Sequence, residues 1–112
     1  MDVVRTRFGR PPIPPGMAKA WVKFSMAAAI NASHNVSSID DDGTANFGIN
    51  FTTAFSSVHY CAVEATVATA NNKIGFSNMA TTDVDADLFR SDDTGSETNT
   101  TSAMCAFFGD QA

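Results

Sequence analysis

The chain predicts an all-β fold: a single antiparallel β-sandwich or small barrel, preceded by an extended, proline-rich N-terminal arm. Three observations carry this. Nine Phe stand against one Leu, Leu88, in a chain otherwise rich in Val, Thr, Ser and Asn, a composition that suits pleated strands and serves helices poorly. Clusters of Asn, Asp, Gly and Ser interrupt the chain about every ten residues, the rhythm of short strands joined by turns. Between them apolar residues alternate with polar ones, the period of a half-buried strand.

Residues 1–16 form the arm. Pro11-Pro12-Ile13-Pro14-Pro15-Gly16 places four prolines in five positions, which removes backbone donors and favours an extended polyproline conformation. Residues 17–112 form the body. Ala20–Met26 is the first strand, with Val22, Phe24 and Met26 on one face. Ala27–Ile39 divides into two short pieces around Asn31–Asn35. The short apolar run Met26–Ile30 is too brief for a helix and is followed at once by Asn and Ser. Asp40-Asp41-Asp42-Gly43 is a turn, and Ala45–Thr53 follows with Phe47, Ile49 and Phe51 alternating, a hairpin signal. His59–Ala68 places Cys61, Val63, Ala65 and Val67 on one face. After a turn at Asn71-Asn72 come Lys73–Ala80, with Ile74 and Phe76, then Ala86–Arg90 and Ser102–Phe108. A polar loop spans 91–101.

With 112 residues the chain is long enough for one domain. Its charge is uneven. Residues 1–24 carry five basic residues against one acid, and residues 25–112 carry two against eleven, so +4 and −9 sum to the net −5. A basic lead on an acidic body suits an arm that docks on an acidic partner surface. Arg5, Arg7 and Arg10 are a thin footprint for nucleic acid, which is not expected as a partner. No stretch approaches the ~20 apolar residues of a membrane-spanning helix, and no apolar core follows the first arginines as in a secretory signal. A membrane is therefore not expected either.

The residues able to carry chemistry read mainly as structural. Consecutive acids at 40–42 lack the alternating ligand spacing of a calcium loop and suit a turn. Asp83, Asp85 and Asp87 share one strand face, as a solvated edge that discourages stray pairing; a cation site or a dock for a basic arm is the rival. His34 and His59 fall at surface or turn positions. Cys61 and Cys105 read as small core thiols that touch if their strands are neighbours, with too few ligands around them for a metal. No nucleophile elbow, H-E-x-x-H, P-loop or dinucleotide glycine motif occurs. No catalytic residue and no cofactor is expected. The residues expected to bind a partner are Arg5, Arg7, Phe8, Arg10, Pro12, Ile13 and Pro15 of the arm, together with Trp21, which could equally fill the core.

Several segments together are similar to a β-rich domain of tailed-phage tail-fibre and related virion structural proteins. They are Ala18-Lys19-Ala20-Trp21-Val22-Lys23-Phe24, Asn35-Val36-Ser37-Ser38-Ile39, Asp41-Asp42-Gly43-Thr44 and Ile49-Asn50-Phe51-Thr52-Thr53-Ala54, with Tyr60 beyond. The likeness covers Ala18 to Tyr60, about two-fifths of the chain. Lys23 stands where that family commonly has Asn, Asn46-Phe47 where Gly or Asp precedes Tyr, and Phe55 where Met is frequent. The resemblance implies a virion structural protein, commonly a homotrimer, assembled in the host cytoplasm, with no catalytic residues. Its partners would be copies of itself and other virion proteins, such as the major capsid protein or tail proteins. Sixteen lead residues cannot form a fibre shaft, so the expected role is capsid decoration, cementing the head through multivalent contacts. A tail-fibre or tail-tip subunit that binds a host receptor is the alternative.

Overall fold

A computed structural model describes residues 16–43, 45–67, 72–90 and 102–111. The expected arm and the polar loop at 91–101 lie outside the described residues. Eight strands build the body, with no helix among the described residues: β1 (Ala20–Ser25), β2 (Ile30–His34), β3 (Val36–Gly43), β4 (Asn46–Phe51), β5 (Cys61–Val67), β6 (Asn72–Ser77), β7 (Asp83–Arg90) and β8 (Ser102–Phe108). They form two four-stranded antiparallel sheets, ordered β2-β1-β8-β5 and β3-β4-β7-β6.

Period-two alternation decides which side chains enter the core. Ala20, Val22 and Phe24 of β1 point inward, as do Phe47, Ile49 and Phe51 of β4, Val84, Ala86 and Leu88 of β7, and Ala103, Cys105 and Phe107 of β8. These join into one cluster shared by both sheets, an arrangement consistent with a sandwich. Aromatic rings bridge the layers edge to face: Phe24 of β1 meets Phe47 of β4 at 5.2 Å, and Phe107 of β8 meets Phe51 of β4 at 5.1 Å and Phe76 of β6 at 5.7 Å. Such pairs add about 0.5–1.5 kcal/mol each beyond the area they bury.

Two polar devices hold the connections. At Asn35, between β2 and β3, the backbone is left-handed (φ 57°), a conformation Asn tolerates better than most residues. Its side chain acts as an extra strand residue: Thr53 N–H donates to Asn35 Oδ1 at 2.6 Å, and Asn35 Nδ2 donates to the Thr53 carbonyl at 3.0 Å. The Tyr60 hydroxyl donates to the Ala80 carbonyl at 2.6 Å, with the Asp83 carbonyl at 3.2 Å. That bond ties the segment before β5 to the segment before β7. The Tyr60 ring stacks on Phe55 at 4.4 Å.

Strand order corrects four expectations. Asp40, Asp41 and Asp42 belong to β3 rather than to a turn, because Asp40 pairs with Gly48 and Asp41 with Phe47. The strand β7 starts at Asp83, earlier than the expected Ala86, and lies between β4 and β6, so its aspartates are not on an edge. Their mutual repulsion is relieved across the ladders, where Asp83 faces Asn50 and Asp85 faces Gly48. In β5 the expected core face is reversed: Cys61, Val63 and Ala65 are exposed, while Ala62, Glu64 and Thr66 face inward. Finally, Cys61 is exposed and Cys105 buried. Their strands are indeed neighbours, but Cys61 pairs with Phe108 and Cys105 with Glu64, so the two thiols project from opposite faces.

Candidate interaction surface

The two outer faces of the body have opposite chemistry. On the β3-β4-β7-β6 sheet, the outward positions of β7 are Asp83, Asp85 and Asp87, and the carboxylates of Asp40 and Asp42 lie over Gly48. A Cβ at Gly48 would stand 3.3 Å from Asp40 Oδ2 and 3.4 Å from Asp42 Oδ2; the missing side chain leaves room for these two carboxylates to fold across the sheet. Amides and hydroxyls partner the acids. Asn50 Nδ2 donates to Asp40 Oδ2 at 3.1 Å, Asn78 Nδ2 to Asp85 Oδ2 at 2.7 Å, and the Thr82 hydroxyl to Asp83 Oδ2 at 3.1 Å. Among the described residues no group of three His, Cys, Asp or Glu is placed to hold a metal ion. This face is a solvated acidic one.

The outer face of the β2-β1-β8-β5 sheet is apolar. Registered pairing sets two transverse rows across all four strands, at right angles to the chain direction. One runs His34, Trp21, Ala106, Val63; the next runs Ala32, Lys23, Met104, Ala65. All of these except His34 line a shallow concavity of about 440 Å³. Trp21 is 41% exposed and Val63 53%, large values for residues whose burial would each contribute about 1.5–3 kcal/mol. Lys23 is the cationic side chain within the rows.

Trp21, expected either in the core or at a contact, therefore belongs to the surface. Arg5, Arg7, Phe8, Arg10, Pro12, Ile13 and Pro15 lie outside the described residues. His34 and His59 are exposed, at positions that match their sequence reading. The sequence places Val63 and Ala65 on one strand face without marking them as a contact, and it does not mark Met104 or Ala106. A signal for them exists in β8: Ala103 to Phe108 is uninterruptedly apolar, and a strand with no polar alternation has something apolar on both faces.

Burial governs two titrating groups. The Cys105 thiol is pushed up from 9.0 to about 12, by burial first and by the nearby Glu64 charge second, so it stays protonated and inert. Tyr60 rises from 10.0 to about 12 by burial and the Asp83 charge, which keeps its hydroxyl a donor. Neither arrangement offers a nucleophile. What the surface offers instead is an apolar, aromatic-edged patch beside a strongly acidic body.

Comparison with known proteins returns no match: no family model, no curated protein and no solved structure aligns significantly with the chain.

Proposed function

We propose that this chain is a non-enzymatic structural subunit of a tailed-phage particle, a capsid decoration protein built as a β-sandwich with an extended N-terminal arm. It acts by assembling with copies of itself, as a homotrimer, and with the major capsid protein in the virion. The observation that carries the assembly role is the apolar outer face around Trp21 and Val63. Trp21, Val63, Ala65, Met104 and Ala106 are gathered in one place, and apolar side chains grouped this way mark contact sites more often than the same residues scattered singly. The phage assignment draws on the resemblance of Ala18 to Tyr60 to virion β-domains, and an all-β body of two antiparallel sheets is compatible with it.

The division of faces supports decoration. A subunit that cements a shell needs one surface that is buried by protein and another that stays soluble on the particle exterior. The apolar and acidic faces divide that labour, since a high density of like charge keeps exposed surfaces from associating. Immunogold labelling of intact particles tests the reading, together with copy number by mass spectrometry. Labelling over the head at a copy number matching the shell lattice is the expected result. Labelling at the tail tip with a few copies per particle replaces decoration with the fibre role, and absence from purified particles overturns both.

A further inference from the structure

We propose that the groove on the outer face of the β2-β1-β8-β5 sheet receives the proline-rich segment Pro11-Pro12-Ile13-Pro14-Pro15 of a second copy of this chain. The inference deepens the assembly role proposed above and rests on it. It starts from what the groove needs: an occupant that is apolar, narrow and without backbone donors to leave unpaired against apolar side chains. The chain supplies one in the residues that end where the described structure begins, at Gly16. Four prolines and one isoleucine present apolar surface, and the prolines carry no N–H.

Dimensions agree. A polyproline II segment rises ~3.1 Å per residue, so five residues span roughly 15 Å. The two rows of the groove cross four strands, and three inter-strand spacings of ~4.8 Å give roughly 14 Å. A segment lying along the rows would pass from Ala32 at one edge to Val63 and Ala65 at the other. Trp21, projecting between its neighbours Ala106 and His34, supplies the flat aromatic wall against which proline rings pack in grooves of this kind.

The occupant comes from another copy because of where the chain enters β1. Lys19 N–H already donates to the Phe107 carbonyl at 2.9 Å, so only Gly16, Met17 and Ala18 separate Pro15 from the sheet. For its own segment to lie along the rows, the chain would have to reverse and turn across the strands within three residues. Those three residues span at most roughly 11 Å even when fully extended, which leaves little chain for the reversal. A neighbour's segment approaches without that constraint. Donation of one copy's segment to the next copy's groove is a head-to-tail contact, which closes into a ring when the rotation permits.

Trp21 is the sole tryptophan, so its fluorescence reports occupancy of the groove directly. The full chain is followed over a dilution series by light scattering and by Trp21 emission, alongside the variants Ile13→Asp and Val63→Asp. Val63 is surface-exposed, so its change removes no core contact, and an unchanged urea midpoint shows the same for Ile13→Asp. The expected result is an assembled species with emission at shorter wavelength that gives way on dilution to a monomer with emission at longer wavelength. Both variants should weaken association at least about tenfold. If the wild-type assembly survives every dilution, the variants must still dissociate. A monomer at all concentrations overturns the proposal, whatever its emission. Assembly lost in Val63→Asp but intact in Ile13→Asp overturns the segment as occupant and indicates sheet-to-sheet packing of copies; assembly intact in Val63→Asp moves the contact elsewhere. The particle role fails separately: a monomer found on phage heads sinks only this inference, and an assembled chain absent from particles sinks only the virion reading.

Discussion

Replacing Phe107 and Phe108 by alanine, one at a time, tests the register on which both faces depend. The two are chemically identical and adjacent on β8, yet they project to opposite sides. Phe107 is 0% exposed and its ring lies 5.1 Å from Phe51, 5.7 Å from Phe76 and 6.2 Å from Tyr60. Truncating a buried Phe costs about 3–5 kcal/mol, and the lost edge-to-face pairs place Phe107→Ala toward the upper end. Phe108 sits on the outer face opposite Cys61, half-buried, and its truncation should cost about 1 kcal/mol or less. A domain of this size has about 5–15 kcal/mol in total, so the first variant consumes a large part of the margin and the second little of it. Urea melts followed by far-ultraviolet circular dichroism, at a concentration where both are monomeric, measure the difference. If Phe107→Ala does not fold, Phe107→Leu serves and should still cost more than Phe108→Ala. Equal costs for the two positions would refute the register, because a one-residue slip exchanges every inward and outward side chain of the strand.

Gly109→Ala should destabilise by about 1–3 kcal/mol: its Cβ would stand 2.8 Å from Tyr60 Cβ and 3.2 Å from Tyr60 Cα, where backbone cannot yield cheaply. Thermal melts check this. Asn35→Ala loses two hydrogen bonds at about 1 kcal/mol each and strains a left-handed residue, whereas Asn35→Gly loses the bonds without the strain; the alanine variant should therefore melt lower than the glycine one. In native protein a thiol reagent should modify Cys61 alone, with Cys105 reacting only after denaturant is added, as counted by mass spectrometry. The alkaline limb of stability follows from Cys105 and Tyr60. Both folded pKa values are raised, so their contribution is complete below about pH 9 and is lost as pH climbs toward 12. Cys105→Ala should flatten the first part of that decline, read from urea midpoints across the range.

The strands were legible wherever one face alternated against the other. In β1 and β4 every second residue is apolar, and Val22, Phe24, Phe47, Ile49 and Phe51 entered the core as their spacing predicts. The break between β2 and β3 was legible from the Asn-rich stretch, although not the role of Asn35 as a surrogate strand residue, which depends on Thr53 eighteen positions away. The hairpin acids misled for a physical reason. Asp and Gly favour turns locally, but β3 continues through these acids because Gly48, opposite Asp40, leaves space for the Asp40 and Asp42 carboxylates, a pairing that only strand order reveals.

The misreading of β5 has the same origin and bears more directly on function. Cys61, Val63 and Ala65 form the more apolar of its two faces, and burial of the apolar face is the rule for a half-solvated strand. The strand breaks that rule because it lies at the edge of its sheet beside β8, where Cys105 and Phe107 already fill the interior and Glu64 can look inward near the rim. Sequence periodicity identifies which residues share a face, but two apolar faces in one strand pair leave open which of them is the core. In β5 the face turned out is the more apolar one, with Glu64 and Thr66 on the other. Here it falls on the β1, β8 and β5 rows that carry Trp21, Ala106 and Val63. The deviation from the half-buried pattern and the surface assigned to assembly are thus one feature, and the most exposed members of that row are the residues whose substitution should alter assembly while sparing the fold.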